Sequence, residues 1–260
     1  MISTQTLLAQ QIQDSVVTLK ISRIYPATEK HIIKYTEQML FLIEETPVDY
    51  ITITLPYLKY EQFTLDWVYN IIEHKQETER ILYEDLDPKN GFILLPDYKW
   101  NGQIETLYLL AIVMRKDIKS IRDLDSNHLP LLENIRSKSL EIIEKKYDIN
   151  SNQIRAYFHY QPSFYHLHVH FTILKYKAPG INCEKSHLLN NVIDNIKMIP
   201  DYYQRAILTF SVREMDKLRH AFKASRKAAN KTETPSTAID DVKEVKIEDE
   251  NDIKPEDKKL

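Results

Sequence analysis

The sequence contains very little cysteine and glycine, and each shortage excludes a class of site. Cys183 is the single cysteine in 260 residues, which excludes an internal disulfide framework and a thiolate metal cluster and is typical of a reducing compartment. The three glycines, Gly91, Gly102 and Gly180, are not spaced as in a dinucleotide-binding fingerprint or a P-loop. Bound phosphates are therefore expected to be held by side chains or by a few amides at loop and helix ends.

Neither an excess of one charge nor a long apolar run is present. The 35 basic and 38 acidic residues leave a formal net charge of -3, so no global positive field indicates binding of long nucleic acid, and a polynucleotide partner is expected to be short. No stretch approaches the roughly 20 apolar residues of a membrane span, and no basic region leads into an apolar run at the amino terminus. We expect a soluble protein of the cytoplasm or nucleus, without a membrane partner.

Hydrophobic periodicity divides the chain into four predicted regions. Residues 1–23 form a short lead with one alternating stretch, 15–21, that predicts a strand. Residues 24–46 predict an amphipathic helix that is capped by Thr28 and ended at Thr46-Pro47. Residues 47–222 predict one folded domain, and 43% hydrophobic residues overall are ample for its core. Residues 223–260 are charged and poor in large apolar side chains, which predicts a disordered tail.

The order of elements within 47–222 favours an α+β fold. A helix is predicted over 65–75, and an Asn90-Gly91 turn predicts a hairpin between strands at 80–84 and 92–96. A mostly apolar stretch at 107–114 is typical of a strand in the middle of a sheet. A long amphipathic helix at 129–147 and strands at 154–160 and 166–174 follow. This order predicts an antiparallel sheet flanked by helices.

The most informative feature is the alternation His166-Leu167-His168-Val169-His170. On a strand the three imidazoles share one face, about 7 Å apart, while the residues between them point into the core. Three interpretations are open: a polar strand face that happens to use histidine, a zinc site, or a site for phosphoryl transfer. The absence of a neighbouring cysteine or carboxylate-rich cluster in the sequence counts against zinc.

Phosphoryl transfer uses all three histidines. His168, flanked on both sides, is the best-placed nucleophile, while His166 and His170 are placed to donate to phosphate oxygens. If strands 154–160 and 166–174 pair antiparallel, His159 lies near the triad and is placed to protonate the leaving oxygen. Ser163, in the short loop between them, is a further donor. We therefore expect cleavage of a nucleotide phosphoanhydride through a phosphorylated His168.

The segment 156–172 around these histidines resembles the scavenger mRNA decapping enzymes, a branch of the histidine-triad superfamily. The resemblance extends from about Ile24 to Val212 and includes segments 24–31, 66–71, 91–100, 120–124 and 178–180. It implies a histidine-triad fold preceded by a hinge helix at 24–46. It also implies hydrolysis, without a metal or other cofactor, of 7-methylguanosine cap dinucleotides or short capped RNA left by mRNA decay. In such a reaction His168 carries a covalent 7-methylguanylate, and the products are 7-methyl-GMP and a nucleoside or oligonucleotide diphosphate.

The same resemblance implies the cap pocket. Trp67 stacks on the methylated guanine, whose positive charge favours an indole face, and Glu77 accepts from the guanine ring N–H and amino groups. From the residues alone, the preferred interpretation of Trp67 is a core residue of its helix. Tyr98 and Lys185 stand where the family usually has an aliphatic residue and an arginine. The remaining contacts to the cap and its phosphates are implied for Asp97, Lys99, Tyr108, Ser163 and Lys185.

One departure from the family concerns the amino terminus. The family has an amino-terminal domain, exchanged between subunits of a dimer, that closes over the cap, whereas about 23 residues precede the matching helix here. The apolar stripe of that helix predicts a homodimer, and the shorter lead predicts weaker closure, lower cap affinity and slower catalysis. The alternatives to a cap hydrolase are a cap- or nucleotide-binding protein with little turnover and a dinucleoside polyphosphate hydrolase.

Overall fold

The computed structural model describes residues 25–26, 28, 36–61 and 64–232. The predicted lead at 1–23, with its strand at 15–21, and residues 233–260 of the predicted tail lie outside this part of the chain. Residues 29–35 of the predicted hinge helix lie outside it as well.

Within the described residues, the chain forms eight strands and seven α-helical segments. The strands are β1 (Leu40–Glu45), β2 (Tyr83–Glu84), β3 (Phe92–Pro96), β4 (Tyr108–Val113), β5 (Ile154–His159), β6 (His168–Ile173), β7 (Ser186–Leu188) and β8 (Leu208–Arg213). The helices are α1 (Pro47–Asp49), α2 (Leu55–Glu61), α3 (Asp66–Ile72), α4 (Leu129–Tyr147), α5 (Leu189–Met198), α6 (Tyr202–Arg205) and α7 (Lys217–Thr232), with a π-helical turn at Tyr50–Thr54. In this part of the chain no helix combines the length and apolar composition needed to cross a bilayer.

Six strands form an antiparallel sheet in the order β2-β3-β4-β6-β5-β7, which confirms the predicted α+β class. The predicted hairpin is β2 and β3, and the predicted apolar strand is β4, which lies inside the sheet beside β6. Register pairs Ile112 with His168 and Leu110 with His170 across β4 and β6. Tyr157 of β5 pairs with His170 from the other side. His170 is therefore held between strands on both sides, whereas His168 is paired with β4 alone.

The sheet separates two hydrophobic cores. Leu167, Val169 and Phe171 belong to the larger core, as the alternation predicted, together with the buried residues of α4. The opposite face carries a smaller core in which β3 and β4 pack against Val68, Ile71 and Ile72 of α3. Because alternate strand residues face opposite sides, α3 covers the same face of the sheet that carries His168 and His170.

The prediction of a helix at 24–46 is wrong at its carboxyl end. Residues Leu40–Glu45 form β1, which pairs with β8 in a separate two-stranded ribbon. Ile43 and Glu45 are buried while Leu42 and Glu44 are exposed, which is the period of a strand. A short apolar run such as Leu40 to Ile43 is compatible with the period of a helix and with that of a strand. Here the pairing with β8 favours the strand.

The predicted start of the tail at residue 223 is also wrong. Helix α7 continues to Thr232, ten residues into the region predicted as disordered. Leu218 and Phe222, one helical turn apart, are buried in the larger core and anchor the helix. The alanine, lysine and arginine residues that follow have high helix propensity, which allows the helix to extend beyond this anchor.

Candidate active site

The imidazole of His168 lies at the start of β6. One of its nitrogens makes a hydrogen bond that fixes the ring, and the other makes none with the described residues. Its Nδ1 is 2.8 Å from the carbonyl oxygen of His166. A carbonyl oxygen only accepts, so Nδ1 carries the hydrogen and Nε2 keeps its lone pair. Nε2 is buried and has no hydrogen-bond partner among the described residues. Burial lowers the pKa of His168 to about 4, which keeps the ring neutral and nucleophilic at pH 7.

His166 lies on the predicted side of the sheet, because Leu167 belongs to the larger core and the His166 ring packs against Tyr69 of α3 on the opposite side. The ring is fully buried and does not line the pocket beside His159 and His170. It donates from Nε2 to the carbonyl of Val113 at 2.8 Å. In the structure His166 therefore secures the backbone of β4 and orients His168 through its own carbonyl, and its contact with a phosphate oxygen stays a prediction.

The predicted antiparallel pairing of β5 with β6 is confirmed, and it brings His159 to His170. Their ring centroids lie 4.1 Å apart. The hydroxyl of Tyr108 lies 3.0 Å from Nδ1 of His170, and Tyr157 stacks on the same ring. The Nε2 atoms of both histidines are buried without a partner in the described part of the chain. The two rings thus present available nitrogens at one place beside His168.

The same surroundings determine the protonation of His159. Burial, and then the positive charge of Lys185, lower its pKa to about 3. Burial also places the pKa of His170 well below the usual range. Both rings are therefore neutral before a ligand binds, and His159 is a hydrogen-bond donor rather than a ready acid.

Gly180 lies directly against His159, a contact that the residue pattern around it did not indicate. It has φ +81°, and a Cβ at this position would lie 2.7 Å from Nε2 of His159. A side chain here would displace the imidazole. The signal in the sequence was the Ala178-Pro179-Gly180 segment, which the resemblance included without assigning it a role.

A pocket of about 830 Å³ opens beside these histidines. His159 and His170 line it, whereas the buried rings of His166 and His168 do not. All seven residues that the resemblance assigned to cap and phosphate contacts also line this pocket: Trp67, Glu77, Asp97, Lys99, Tyr108, Ser163 and Lys185. One cavity therefore combines the predicted binding residues with the histidine cluster.

The interpretation of Trp67 as a core residue is wrong. Its side chain is 40% exposed, whereas Val68 and Ile71 of the same helix are buried. The indole contacts the ring of Phe164 edge-on at a centroid distance of 4.8 Å. Phe164 in turn stacks on His168 at 3.8 Å with 13° between the planes. Phe164, to which sequence reasoning assigned no role, thus separates the exposed indole from the imidazole of His168.

Glu77 reaches the pocket because α3 ends before it. The helix stops at Ile72, and Glu77 follows in a turn with a left-handed φ of +58°. Arg80 pairs with the Glu77 carboxylate through Nη1 and donates from Nη2 to the carbonyl of Pro96 at 2.8 Å. This contact joins the Glu77 turn to the end of β3, immediately before Asp97. Sequence reasoning did not identify Arg80, which resembles an ordinary charge on a surface turn.

Part of the pocket wall is positively charged. Lys99, Lys185 and Arg213 all line the pocket, as does the acidic Asp216. Burial, followed by the charge of Arg213, lowers the pKa of Lys185. Arg213 and Asp216 were not predicted, because nothing in the pattern of β8 relates its end to His170, which precedes Arg213 by 43 residues. This wall is suited to an anion with several charges.

A buried ion pair anchors the loop that carries Ser163 and Phe164. Glu45 of β1 pairs with Arg122 at 2.9 Å, and both side chains are almost completely buried. The same carboxylate accepts from the Tyr160 hydroxyl and from Nε2 of Gln161. Because a carboxylate buried in this way needs all of its partners, the loop that follows Gln161 is tied to β1.

In the described residues, no group of histidine, cysteine, aspartate and glutamate side chains is arranged to hold a metal ion.

Comparisons with known proteins relate the whole arrangement to one family. Residues 66–186 match the family model described as "Scavenger mRNA decapping enzyme C-term binding". The m7GpppX diphosphatase of Ascaris suum is 59% identical over 199 residues, which are 76% of this chain and 66% of that protein. The m7GpppX diphosphatase of Bos taurus is 50% identical over 201 residues, 77% of this chain and 60% of that protein.

The m7GpppX diphosphatase of Caenorhabditis elegans is 46% identical over 218 residues, which are 84% of this chain and 70% of that protein. The chain thus spans 60% to 70% of the length of these three relatives.

Proposed function

The chain belongs to the scavenger mRNA decapping enzyme family, and on this premise we propose that it hydrolyses the 7-methylguanosine cap of cap dinucleotides or short capped RNA. The products are 7-methyl-GMP and a nucleoside or oligonucleotide diphosphate. The names of the relatives, m7GpppX diphosphatases, support this substrate.

One observation carries the proposal: a single pocket is lined by an exposed indole and a carboxylate together with lysines and histidines. Methylation makes the guanine ring cationic, and a cationic ring is favoured over an indole face. The Glu77 carboxylate accepts from the ring N–H and amino groups. The triphosphate bridge then lies toward Lys99, Lys185 and the two histidines, where its charge is compensated.

The first chemical step uses the lone pair that His168 keeps. Nε2 of His168 attacks the phosphorus next to 7-methylguanosine and forms an N–P bond. The bridging P–O bond breaks, and its electron pair leaves with the diphosphate. Phe164 must move off the imidazole or shift along it to admit the phosphate. Ser163, Lys185 and His170 stabilise the charge on the phosphate oxygens.

His159 supplies the proton to the leaving oxygen. Its pKa of about 3 in the empty pocket is raised by the negative charges of the bound triphosphate. The ring is then able to donate a proton as the diphosphate departs and to accept one from the water that attacks next. That water breaks the N–P bond, releases 7-methyl-GMP and restores neutral His168.

Assembly and location complete the proposal. The protein is a homodimer that associates through the region around β1, where Met39, Leu40 and Leu42 expose more than half of their surface. An apolar surface of this kind supports association with a second copy. The enzyme acts in the cytoplasm or nucleus, where capped fragments of mRNA arise. Light scattering of the purified chain tests the assembly, and a mass of one chain at micromolar concentration contradicts it.

The function is tested by incubating the protein with m7GpppG and with unmethylated GpppG and measuring release of the nucleoside monophosphates. We expect preferential release of 7-methyl-GMP from m7GpppG. Equal cleavage of both substrates would favour a general dinucleoside polyphosphate hydrolase. Binding of m7GpppG without release of either product would favour a cap-binding protein.

A further inference from the structure

Helix α7 is unusually basic for a protein of nearly balanced charge. Its 16 residues, Lys217–Thr232, contain six lysines and arginines and one histidine but no acidic residue. This excess contrasts with the formal net charge of -3 of the whole chain. The mechanism proposed above uses none of these residues.

The exposed basic residues of α7 form a stripe that begins at the pocket. At 100° per residue, His220, Lys223 and Lys227 lie on the side of the helix opposite the buried residues Leu218 and Phe222. All three are exposed. His220 donates its backbone N–H to the carbonyl of Asp216, and Asp216 lines the pocket. The stripe therefore begins one helical turn after a pocket-lining residue and runs along the outside of the helix.

The two lysines of the stripe are uncompensated, unlike other basic residues of the helix. Lys217 pairs with Glu61 at 2.7 Å. Arg219 donates to the carbonyl of Glu214 and lies over the ring of Phe41. Lys223 and Lys227 make no ion pair with any residue that the structure describes. Two ammonium groups on one face thus lack a counter-charge.

We infer that this stripe, His220, Lys223 and Lys227, binds the phosphodiester backbone of the RNA that continues from the cap. The inference rests on the proposed function, because it takes the leaving nucleotide to emerge at the Arg213 and Asp216 side of the pocket. From Asp216 to Lys227 the helix spans roughly 16 Å, which suits the first few nucleotides of a short chain. Lysines contact phosphates as point charges and do not read bases, so the contact is independent of sequence.

Another possible occupant is the acidic segment 233–260, which has ten acidic and five basic residues. Its charge also complements the stripe. The RNA is favoured because the stripe begins one helical turn from the pocket-lining Asp216, whereas the acidic segment joins the helix at the far end, beyond Lys227. The proposed function also requires the substrate to leave the pocket somewhere along its rim.

The test measures binding by the full chain carrying His168→Asn, so that substrate is not consumed. Two ligands are compared: m7GpppG and a capped RNA extended by about four nucleotides, enough to follow a helix of this length. The variant Lys223→Gln/Lys227→Gln removes the two uncompensated charges. The matched control Lys89→Gln/Lys119→Gln removes two exposed lysines that do not line the pocket and lie near the other ends of β3 and β4.

We expect the extended RNA to bind more tightly than m7GpppG, and only Lys223→Gln/Lys227→Gln to lose this advantage. Two lost phosphate contacts reduce the slope of log K against log salt by about 1.4, while the affinity for m7GpppG stays unchanged. Equal affinity of the starting protein for the two ligands would overturn the inference and favour the acidic segment as occupant. An equal loss in the control variant would also overturn it. Failure to bind m7GpppG at all would instead contradict the proposed function.

Discussion

The histidine cluster and the wall that faces the cap base are built in different ways. His159, His168 and His170 are buried on paired strands, and hydrogen bonds orient His168 and His170. Trp67 and Glu77 are part-exposed on a short helix and the turn after it, with Arg80 as the link to the sheet. In the proposed function this difference separates two tasks: the strands hold the reacting groups in position, and the helix end and turn select the base. Changes to the cluster should therefore lower kcat, and changes to the wall should raise KM.

The largest expected effect follows from His168→Asn. The amide cannot form the N–P bond, so we expect kcat to fall by a factor on the order of 10⁴ or more. Binding of m7GpppG should be retained, because His168 does not line the pocket. Product release and equilibrium binding measured on the same preparation check this. Substantial residual turnover would place the nucleophile elsewhere.

Gly180→Ala is expected to lower kcat next most strongly. The new methyl group would lie 2.7 Å from Nε2 of His159 and would displace the ring that we propose as the proton donor. Loss of a general acid typically costs roughly 10² to 10⁴ in rate.

Gly102→Ala is the matched control for this change. Gly102 has a similar φ of +83°, but a Cβ there meets nothing within 4 Å. Both variants therefore share the backbone strain of an alanine with positive φ. If steady-state kinetics show the same loss of kcat in both, strain rather than displacement of His159 is the cause.

Trp67→Ala should weaken binding of the methylated base without affecting the histidine cluster. We expect a selective loss of affinity for the methylated cap on the order of 1 to 2 kcal/mol, with kcat at saturation little changed. Titration with m7GpppG and with GpppG measures this selectivity. Equal losses for the two ligands would show that the indole contributes surface area alone and does not recognise the charge of the base.

Arg80→Met tests whether the link between Glu77 and Pro96 positions the carboxylate. Without it, KM for m7GpppG should rise several-fold, as is usual when a hydrogen bond to a charged group is lost. For a cap whose base lacks the guanine amino group, the rise in KM should be smaller, because that base donates fewer hydrogen bonds to Glu77.

Arg115→Met is the control, because Arg115 also pairs with a carboxylate, that of Asp117, but does not line the pocket. A rise of KM in this variant, or equal rises for both caps in Arg80→Met, would count against a positioning role for Arg80.

The smallest effect is expected from pH near neutrality. Burial holds the pKa of His168 at about 4, so its lone pair is available throughout the neutral range, and kcat/KM should fall only as pH approaches that value. As the pH is lowered, the free energy of unfolding should begin to fall at a higher pH than kcat/KM does. Unfolded histidine binds a proton below about pH 6.5, whereas the buried rings do not, so the free energy of unfolding falls from there toward the folded pKa. Thermal denaturation of the parent and His168→Asn should show a weaker pH dependence in the variant.

The period and spacing of residues in the sequence predicted the histidine cluster better than the part of the pocket formed by Trp67 and Glu77. The alternation at 166–170 and the short loop after His159 correctly predicted that His159 and His170 lie close together, because strand pairing follows local rules. The alternation also gave the side of the sheet on which His166 lies, but not that its ring is buried against Tyr69 and does not line the pocket. Trp67 and Glu77 could be related to the pocket only by resemblance, because the end of a helix and the turn after it have no period.

Long-range contacts account for most of what the sequence did not predict. The pairing of β1 with β8 and the buried Glu45 to Arg122 ion pair join segments far apart in the chain. The approach of Gly180 to His159 depends on a loop from another part of the sheet. No local pattern in the sequence predicts such contacts. The continuation of α7 from residue 223 to Thr232 was missed for a related reason, since two buried residues before it anchor a helix whose second half composition alone assigns to a tail.

The most direct test of the account is to trap the intermediate. The protein is mixed with m7GpppG, quenched in base within a turnover, and the peptide containing residues 166–170 is analysed by mass spectrometry. The account predicts a 7-methylguanylate attached to His168. Turnover of m7GpppG with no adduct on this peptide, or with the adduct on another residue, would contradict it.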